Sequence, residues 1–525
     1  QGSCIECGNV NPEQIFNIIE TKVVNEYGHL TDTRKISPQD WNDYFAEGVR
    51  IEEVDEATVA PKKTLSIPNK LKQVFIFISR DVASKLSNKQ YLIINSLEAP
   101  VLAILLAFII RYTTSGREEY IFRENPNIPA FFFMAIIVSL FMGLTISAEE
   151  IIKDRRILKR ESFLNLSRLS YLVSKLIILF TLSAVQTFLF VIIGNAILGI
   201  QGMTFSFWLV MFSISCFANI MGLNISSAFN SAVTIYILIP LLIIPQLILS
   251  GVVVSFDKLH PWLGNNSKVP VIGEMMASRW GYEALLVSQF KDNAYEKEFF
   301  EYDQTLANTE YKVSYYFSTI ESEIDFVSTN YRNGDQKSSI EKKLTLIRGE
   351  LKKEMDVYEL PVSKFPTMDS LYADKIDQSV LDNTKKFIRI FRKIYNDDSK
   401  NAGKAKDEKI ANLIATTEGN IAYTKLKNDN ENKNVVFYLK NKAAENRILN
   451  TGDELIRKID PIYLNPQPDG ILDFRTHFYS PQKHFAGSYF DTLYFNVVII
   501  WLMSITLIFT LYFDVMRRIV TGSGK

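Results

Sequence analysis

Cys4 and Cys7 form a Cys-Ile-Glu-Cys pair followed by Gly8. Two thiolates at this spacing are half of a four-ligand zinc site. Zn at Cys4 and Cys7 is therefore an expectation that needs further ligands, and a pair of reduced thiols is its alternative. Cys216 lies inside an apolar block and reads as a small buried hydrophobe. The four histidines, His29, His260, His477 and His484, do not cluster at ligand spacing. The chain has no Gly-x-x-x-x-Gly-Lys-Ser/Thr phosphate loop, no His-Glu-x-x-His and no Gly-x-Ser-x-Gly. No catalytic residue is assigned.

The remaining chemistry-bearing residues sit within apolar stretches. Glu98, followed by Pro100, lies about 10 Å in from Tyr91 along a helix rising 1.5 Å per residue. A carboxylate at mid-membrane costs roughly 2.5–3.5 kcal/mol on insertion scales, so it must face protein or water. A structural hydrogen bond to Asn95 or a neighbouring helix is one reading, and a proton-coupling role is the other. Asn219 and Asn224 are read as helix–helix hydrogen bonds. Phe131, Phe132 and Phe133 are consecutive, so a turn of about 100° per residue prevents all three from facing one cavity.

These residues belong to six segments of about 20 apolar residues, the length needed to cross roughly 30 Å of hydrocarbon. The spans are placed at 91–111, 128–148, 170–199, 204–226, 231–255 and 491–513. Before them, residues 63–90 form an amphipathic connecting helix. Leu71, Val74, Phe75, Ile78, Val82 and Leu86 make its apolar side, and Lys70, Lys72, Arg80, Lys85 and Lys89 its charge. The connection between spans two and three carries Lys153, Arg155, Arg156, Lys159, Arg160 and Arg168. The tail carries Arg517, Arg518 and Lys525. With six spans, these basic segments fall on one side, the cytoplasm by the positive-inside rule, and 256–490 lies outside.

The expected organisation is a 1–62 cytoplasmic linker, the 63–90 helix, spans one to five within 91–255, and a re-entrant external segment at 256–290. An external helical domain follows at 291–488, then the last span and cytoplasmic tail at 489–525. In the external domain, Ser338 with Glu341 makes a capping box. Ile340, Leu344, Ile347 and Leu351 form one apolar stripe, and Phe387, Phe391 and Ile394 another. Both are read as core faces, with 396–409 as a loop. The fold class is all-α membrane protein. The chain begins at Gln1 with no apolar segment in its first sixty residues, and reads as the C-terminal part of something longer.

Bulk properties agree with this division. The 525 residues carry 58 basic and 58 acidic side chains, a balance that argues against a nucleic-acid partner. Hydrophobic residues make up 47% of the chain, a soluble-looking average that hides their concentration in blocks.

Two motifs carry a family resemblance. The run Asp154-Arg155-Arg156-Ile157-Leu158-Lys159-Arg160-Glu161, followed by Arg168, Ser170, Tyr171 and Lys175, resembles the connection in the G subfamily of ABC half-transporters and the wider ABC type-2 exporters. There a similar run ends in Arg/His-Glu before a Tyr and a Lys open the third helix. The second motif is Ser250-Gly251-Val252-Val253-Val254, then Pro261, Trp262 and Ser278-Arg279-Trp280-Gly281-Tyr282-Glu283-Ala284-Leu285, with Phe290 after it. It is similar to that family's Ser-Gly-Leu-Leu-Val turn and Pro/Ser-Arg-Tyr-Gly-Phe-x-Ala-Leu signature.

The resemblance covers 64–290 and 491–518. It implies coupling residues at Asp154, Arg155, Arg160 and Glu161, with Arg80 on the connecting helix. A buried Arg160–Glu161 network would hold these elements together. It also implies a substrate path at Phe131 and Phe132, a gate at Gly251, Val252 and Val253, and a signature at Arg279, Gly281, Ala284 and Leu285. The implied protein is the membrane half of an ATP-driven exporter that moves a lipophilic or amphipathic substrate by alternating access. It is expected to be a homodimer in a bacterial inner membrane, surrounded by lipid. Its upstream or separate ATPase would use ATP and Mg, and its external domain would have a periplasmic partner. The alternative is a membrane-anchored scaffold or receptor whose external domain binds a partner.

Overall fold

The computed structural model describes residues 12–49, 68–113, 119–161, 166–260, 262–332, 336–468 and 470–522. Cys4, Cys7, Pro261 and Lys525 lie outside them. The chain divides into two units, Gln1–Ser66 and Ile67–Lys525. The first contains α1 (Pro12–Glu20), a hairpin of β1 (Lys22–Val24) and β2 (Leu30–Arg34), and α2 (Pro38–Gly48). Ser37 and Asp40 cap α2 reciprocally: the Ser37 side chain accepts from the Asp40 amide, and Asp40 from the Ser37 amide.

The second unit begins with α3 (Lys70–Ser87) and α4 (Lys89–Ile110), separated at Asn88, whose side chain accepts from the Tyr91 amide at 3.1 Å. Then come α5 (Ile128–Ser147), α6 (Glu150–Arg160), α7 (Arg168–Leu198), α8 (Thr204–Ala228) and α9 (Ala232–Ile248). Ser167 caps the start of α7, and Gly199, in the left-handed region at φ +69°, ends it. Helix α5 is the hub, with α8 packed along it. Glycines set that approach. A Cβ on Gly222 would stand 2.0 Å from the Ser147 hydroxyl, and one on Gly143 would stand 2.5 Å from the Ser215 carbonyl. Close backbone contact of this kind is how apolar helices pack where lipid removes the hydrophobic drive.

Two short helices follow α9, α10 (Val271–Glu274) and α11 (Ala277–Lys291), of which α11 is buried over 277–290. The segment that follows contains α12 (Phe300–Tyr311), α13 (Phe317–Asn330), α14 (Lys337–Val357), α15 (Gln378–Leu413), α16 (Thr417–Asn430) and α17 (Lys433–Leu439). Two hairpins, β3 (Ile448–Asn450) with β4 (Leu455–Arg457) and β5 (Gln482–Phe485) with β6 (Ser488–Asp491), lead into α18 (Thr492–Tyr512) and α19 (Val515–Thr521). A π turn at Lys312–Tyr316 joins α12 to α13. Ile340, Leu344, Ile347, Leu351, Phe387 and Phe391 are all buried in one hydrophobic core, with Ile394 packed against it. Both predicted stripes are thus core faces.

Among the described residues, five helices are long and apolar enough to cross a membrane: α4, α5 with α6 continuing from it, α7, α8 and α18. Their bounds agree with five of the expected spans to within two residues at each end. The expected fifth span, 231–255, differs. Helix α9 has 17 residues and stops at Ile248, because Gly251 turns the chain at φ +79°. Three short hairpins among the described residues also qualify the all-α expectation. The expected loop at 396–409 lies inside the continuous 36-residue α15. The Ser338–Glu341 capping box is not formed. Gln336 is the N-cap, and the Glu341 carboxylate accepts from the Ala373 amide at 2.8 Å and pairs with Arg348.

Candidate functional site

Helix α3 packs on α7 through the buried Gln73 and Phe77, the Phe77 ring edge-on to Tyr171, with Asp81 turned to the same side. Its outward side carries the apolar Leu71, Phe75, Ile76 and Leu86 together with Lys72 and Arg80, a mixture that suits the headgroup boundary of a membrane.

An ion-pair cluster joins α3, α6 and α7. The Lys175 ammonium lies 3.0 Å from Asp81 Oδ1, 2.8 Å from Glu150 Oε2 and 2.9 Å from Asp154 Oδ2. The Lys85 ammonium lies 2.8 Å from both Asp81 Oδ2 and Glu150 Oε2. The Tyr171 hydroxyl donates to Asp154 at 3.0 Å. Lys175 is almost fully buried, so each of its three donors needs an acceptor, and three carboxylates supply them. Burial raises the Asp81 carboxyl, but the Lys175 and Lys85 ammoniums outweigh it and hold Asp81 below the usual carboxylate range.

Helix α6 is also tied to α8. Ser226 Oγ accepts from the Ile151 and Ile152 amides at 3.0 and 3.1 Å. The Arg155 guanidinium donates to the carbonyls of Ser226, Ser227 and Phe229 at 3.0–3.3 Å and to the Asn230 side chain, closing the C-terminus of α8. Arg168 makes the equivalent tie to the end of α18 through the Leu511 carbonyl and Asp514.

Four expected coupling residues, Asp154, Arg155, Glu161 and Arg80, make contacts between elements, and Arg160 does not. Arg80 donates to both Glu161 oxygens, at 3.1 and 3.0 Å, in a solvated pair. Arg160 is exposed and makes no ion pair among the described residues, so the expected buried Arg160–Glu161 network is absent. The buried network is centred on Lys175, with Asp81, Lys85 and Glu150, which the sequence reading did not assign to coupling. A signal existed: Asp81/Lys85, Glu150/Asp154 and Tyr171/Lys175 are each four apart, so each pair shares a helix face.

The three phenylalanines of α5 are buried against three different helices. Phe131 stacks on Phe190 of α7, Phe132 packs edge-on to Phe207 of α8, and Phe133 packs edge-on to Tyr282 of α11. Phe131 and Phe132, expected on a substrate path, are packed within the helix core of this chain, 3% and 1% exposed.

At the far end, Gly251 turns against the Phe256 ring, which lies 2.4 Å from where a Cβ would stand. Val252 is half-buried and Val253 is exposed. In α11, a Cβ on Gly281 would meet Ile136 and Ile214 at 3.0 Å, and Ala284 and Leu285 are buried beside it. Arg279 lies 3.5 Å over the Trp280 ring and donates to Glu283 at 2.7 Å and to Glu274. Glu283 also accepts from Lys483 at 2.7 Å and from the Asn496 side chain and Tyr479 amide at 3.0 Å. The signature is therefore a packing and charge-pairing device that anchors α11 to α18.

The two asparagines of α8 bond between helices as expected, Asn219 to Ser183 of α7 at 2.7 Å and Asn224 to the Leu507 carbonyl of α18 at 2.9 Å. His477 and His484 are structural and donate to the carbonyls of Pro461 and Asp473. Burial pushes the His477 imidazole down to about 4. Among the described residues, no group of three or more His, Cys, Asp or Glu could hold a metal.

Long apolar helices around a central α5, with one end laced by ion pairs, define a polytopic integral membrane protein. Residues 72–290, from the start of α3 to the end of α11, match the model of the ABC-2 type transporter family. No curated protein matches the chain.

Proposed function

We propose that the chain is the membrane half of an ATP-driven exporter that moves a lipophilic or amphipathic substrate by alternating access. It works as a homodimer with an ATPase, carried on the same or a separate chain, that binds and hydrolyses ATP with Mg. Helix α9 is its sixth membrane crossing. At 1.5 Å per residue it is about 25 Å long, the short end of the spanning range. The basic end, with α3, α6 and α19, faces the cytoplasm, and 256–490 faces outward, in a bacterial inner membrane.

One observation carries the reading. Helix α6 is held by α3 and α7 through the Lys175 cluster and by α8 through Arg155 and Ser226. Its Lys153, Arg156 and Arg160 remain exposed. A push on that basic face moves α7 and α8 together with α3.

The test is ATPase activity and substrate efflux of the assembled protein in lipid vesicles, wild type beside Glu150→Gln and Glu161→Ala. The expected result is hydrolysis that persists while efflux falls. An assembled protein that neither binds nor hydrolyses ATP would end the exporter reading.

A further inference from the structure

One face of α12 forms the wall of a cleft. Asp303, Leu306, Ala307, Glu310 and Tyr311 recur at spacings of three and four and line a space of about 500 Å³. The π turn after α12 adds Tyr315 to the lining. The remaining wall comes from the turn between α17 and β3, with Lys440, Lys442 and Arg447, and from Ile459 and Asp460 beyond β4. The volume falls in the range of about 300–1,000 Å³ that small-molecule sites occupy.

The walls are fixed to each other. The buried Arg457 donates to the Asn308 side chain at 2.6 Å and to the Ile459 carbonyl at 2.7 Å, and its guanidinium lies 4.6 Å from the centre of the Tyr311 ring. The Asp460 amide donates to the Lys440 carbonyl at 3.0 Å, and the Asn441 side chain to the Lys458 carbonyl at 2.7 Å. Asn441 and Asp460 both hold left-handed backbone, at φ 43° and 50°. Such backbone persists only where its surroundings impose it. A cleft shaped in this way before a ligand arrives loses little to ordering on binding.

The charges in the cleft do not balance. Asp303 is paired with Lys406, and Asp460 lies 3.5 Å from Arg457. Lys440, Lys442 and Arg447 make no ion pair and no side-chain hydrogen bond among the described residues, and Glu310 makes no ion pair among them. Three cations therefore stand against one carboxylate. The Arg447 guanidinium lies 4.9 Å from the centre of the Tyr315 ring, a contact that leaves its N–H fork without an acceptor. That fork matches a carboxylate or phosphate bidentately.

We infer that this cleft binds a small organic anion, its carboxylate or phosphate held by Arg447, Lys442 and Lys440 and its apolar or aromatic body set against Tyr311, Tyr315 and Leu306. The site stands apart from the exporter reading, because binding there requires neither ATP nor transport.

The test is equilibrium dialysis of radiolabelled phenyl phosphate and benzoate against the full chain in phosphatidylcholine nanodiscs. Phenol, which lacks the charge, and inorganic phosphate, which lacks the body, are measured in parallel. Wild type is expected to bind an aromatic anion more tightly than either, and the tighter of the two anions names the acidic group. Arg447→Ala is expected to weaken that binding about tenfold, with Arg447→Lys recovering only part. Lys442 is also exposed, so Lys442→Ala provides an independent variant, expected to weaken binding severalfold. Glu310→Gln removes the opposing charge and is expected to tighten it. Absence of wild-type binding, phenol held as tightly as the anions, or indifference to both Arg447→Ala and Lys442→Ala would each overturn the site. Inorganic phosphate held as tightly as phenyl phosphate would overturn the organic body, and weaker binding by Glu310→Gln would overturn the anion assignment.

Discussion

The ammonium of Lys175 and the carboxylate of Glu150 lie 2.8 Å apart, both nearly closed to solvent, at the seam where α6 meets α7. Breaking one side of a buried pair leaves the other charge unpaired, at a cost of about 3–5 kcal/mol. Lys175→Met should therefore lower the melting temperature in detergent, since it leaves Asp154 without an ammonium partner and Asp81 and Glu150 to share Lys85 alone. Adding Glu150→Gln to it should recover part of the loss. A double-mutant cycle with no coupling would contradict this arrangement.

Arg155 caps the carbonyls at the end of α8. Arg155→Ala removes donors from three of them and should cost about 1–3 kcal/mol. Arg155→Lys should restore only part, because an ammonium cannot reproduce the guanidinium fork. Hydrogen exchange at 226–230 is the local readout, and unchanged protection there would count against the cap.

Gly251 combines a left-handed backbone with a ring against its α-carbon. Gly251→Ala should destabilise by about 1–3 kcal/mol through strain and overlap with Phe256. The further change Phe256→Ala should relieve the overlap and leave the backbone strain. Thermal unfolding of the single and double variants separates the two contributions.

Burial, with help from Glu431 and Asp303, raises the Glu296 carboxyl to about 7. One of its oxygens has no hydrogen-bond partner. An acid whose folded pKa lies above its unfolded value binds its proton more tightly when folded. Its favourable contribution is complete below about pH 4.5 and is lost as pH climbs through about 7. Glu296→Gln mimics the protonated form. It should melt above wild type at pH 8, by up to about 3 kcal/mol, and converge with it below about pH 4.5.

Apolar blocks made most of the membrane helices legible, because length and hydropathy alone decide whether a segment can cross. The end of α9 is not legible in hydropathy because 249–255 is as apolar as the helix before it; the chain leaves the helix after Leu249 and turns at Gly251. The 396–409 run is rich in Lys and Asp and contains Gly403, which argues for a loop. Its continuation as helix rests on a single hydrophilic rod in which tertiary contact overrides a weak propensity. At the basic end, the motif pointed to a buried Arg160–Glu161 network, whereas the buried ion pairs of α6 are made by Lys175. Arg160 is adjacent to Glu161, and neighbours in a helix face different directions. Lys175 reaches three carboxylates on two other helices, a convergence that no local pattern encodes. Phe131 and Phe132 illustrate the same gap. Their ring type was informative, but whether they face a path or a core depends on which helices surround α5.

Asn432 donates its side-chain amide to the carbonyls of Phe122 and Asn125 at 2.8 and 2.9 Å, and beside it Lys433 pairs with Glu124 and Glu431 with Arg123. The link between α4 and α5 is thus gripped by residues more than three hundred positions away. A tilt of those two helices therefore has to break these contacts or be passed on to α16 and α17, so the 300–490 segment is mechanically in series with the membrane helices rather than hung from them by α11 and α18 alone.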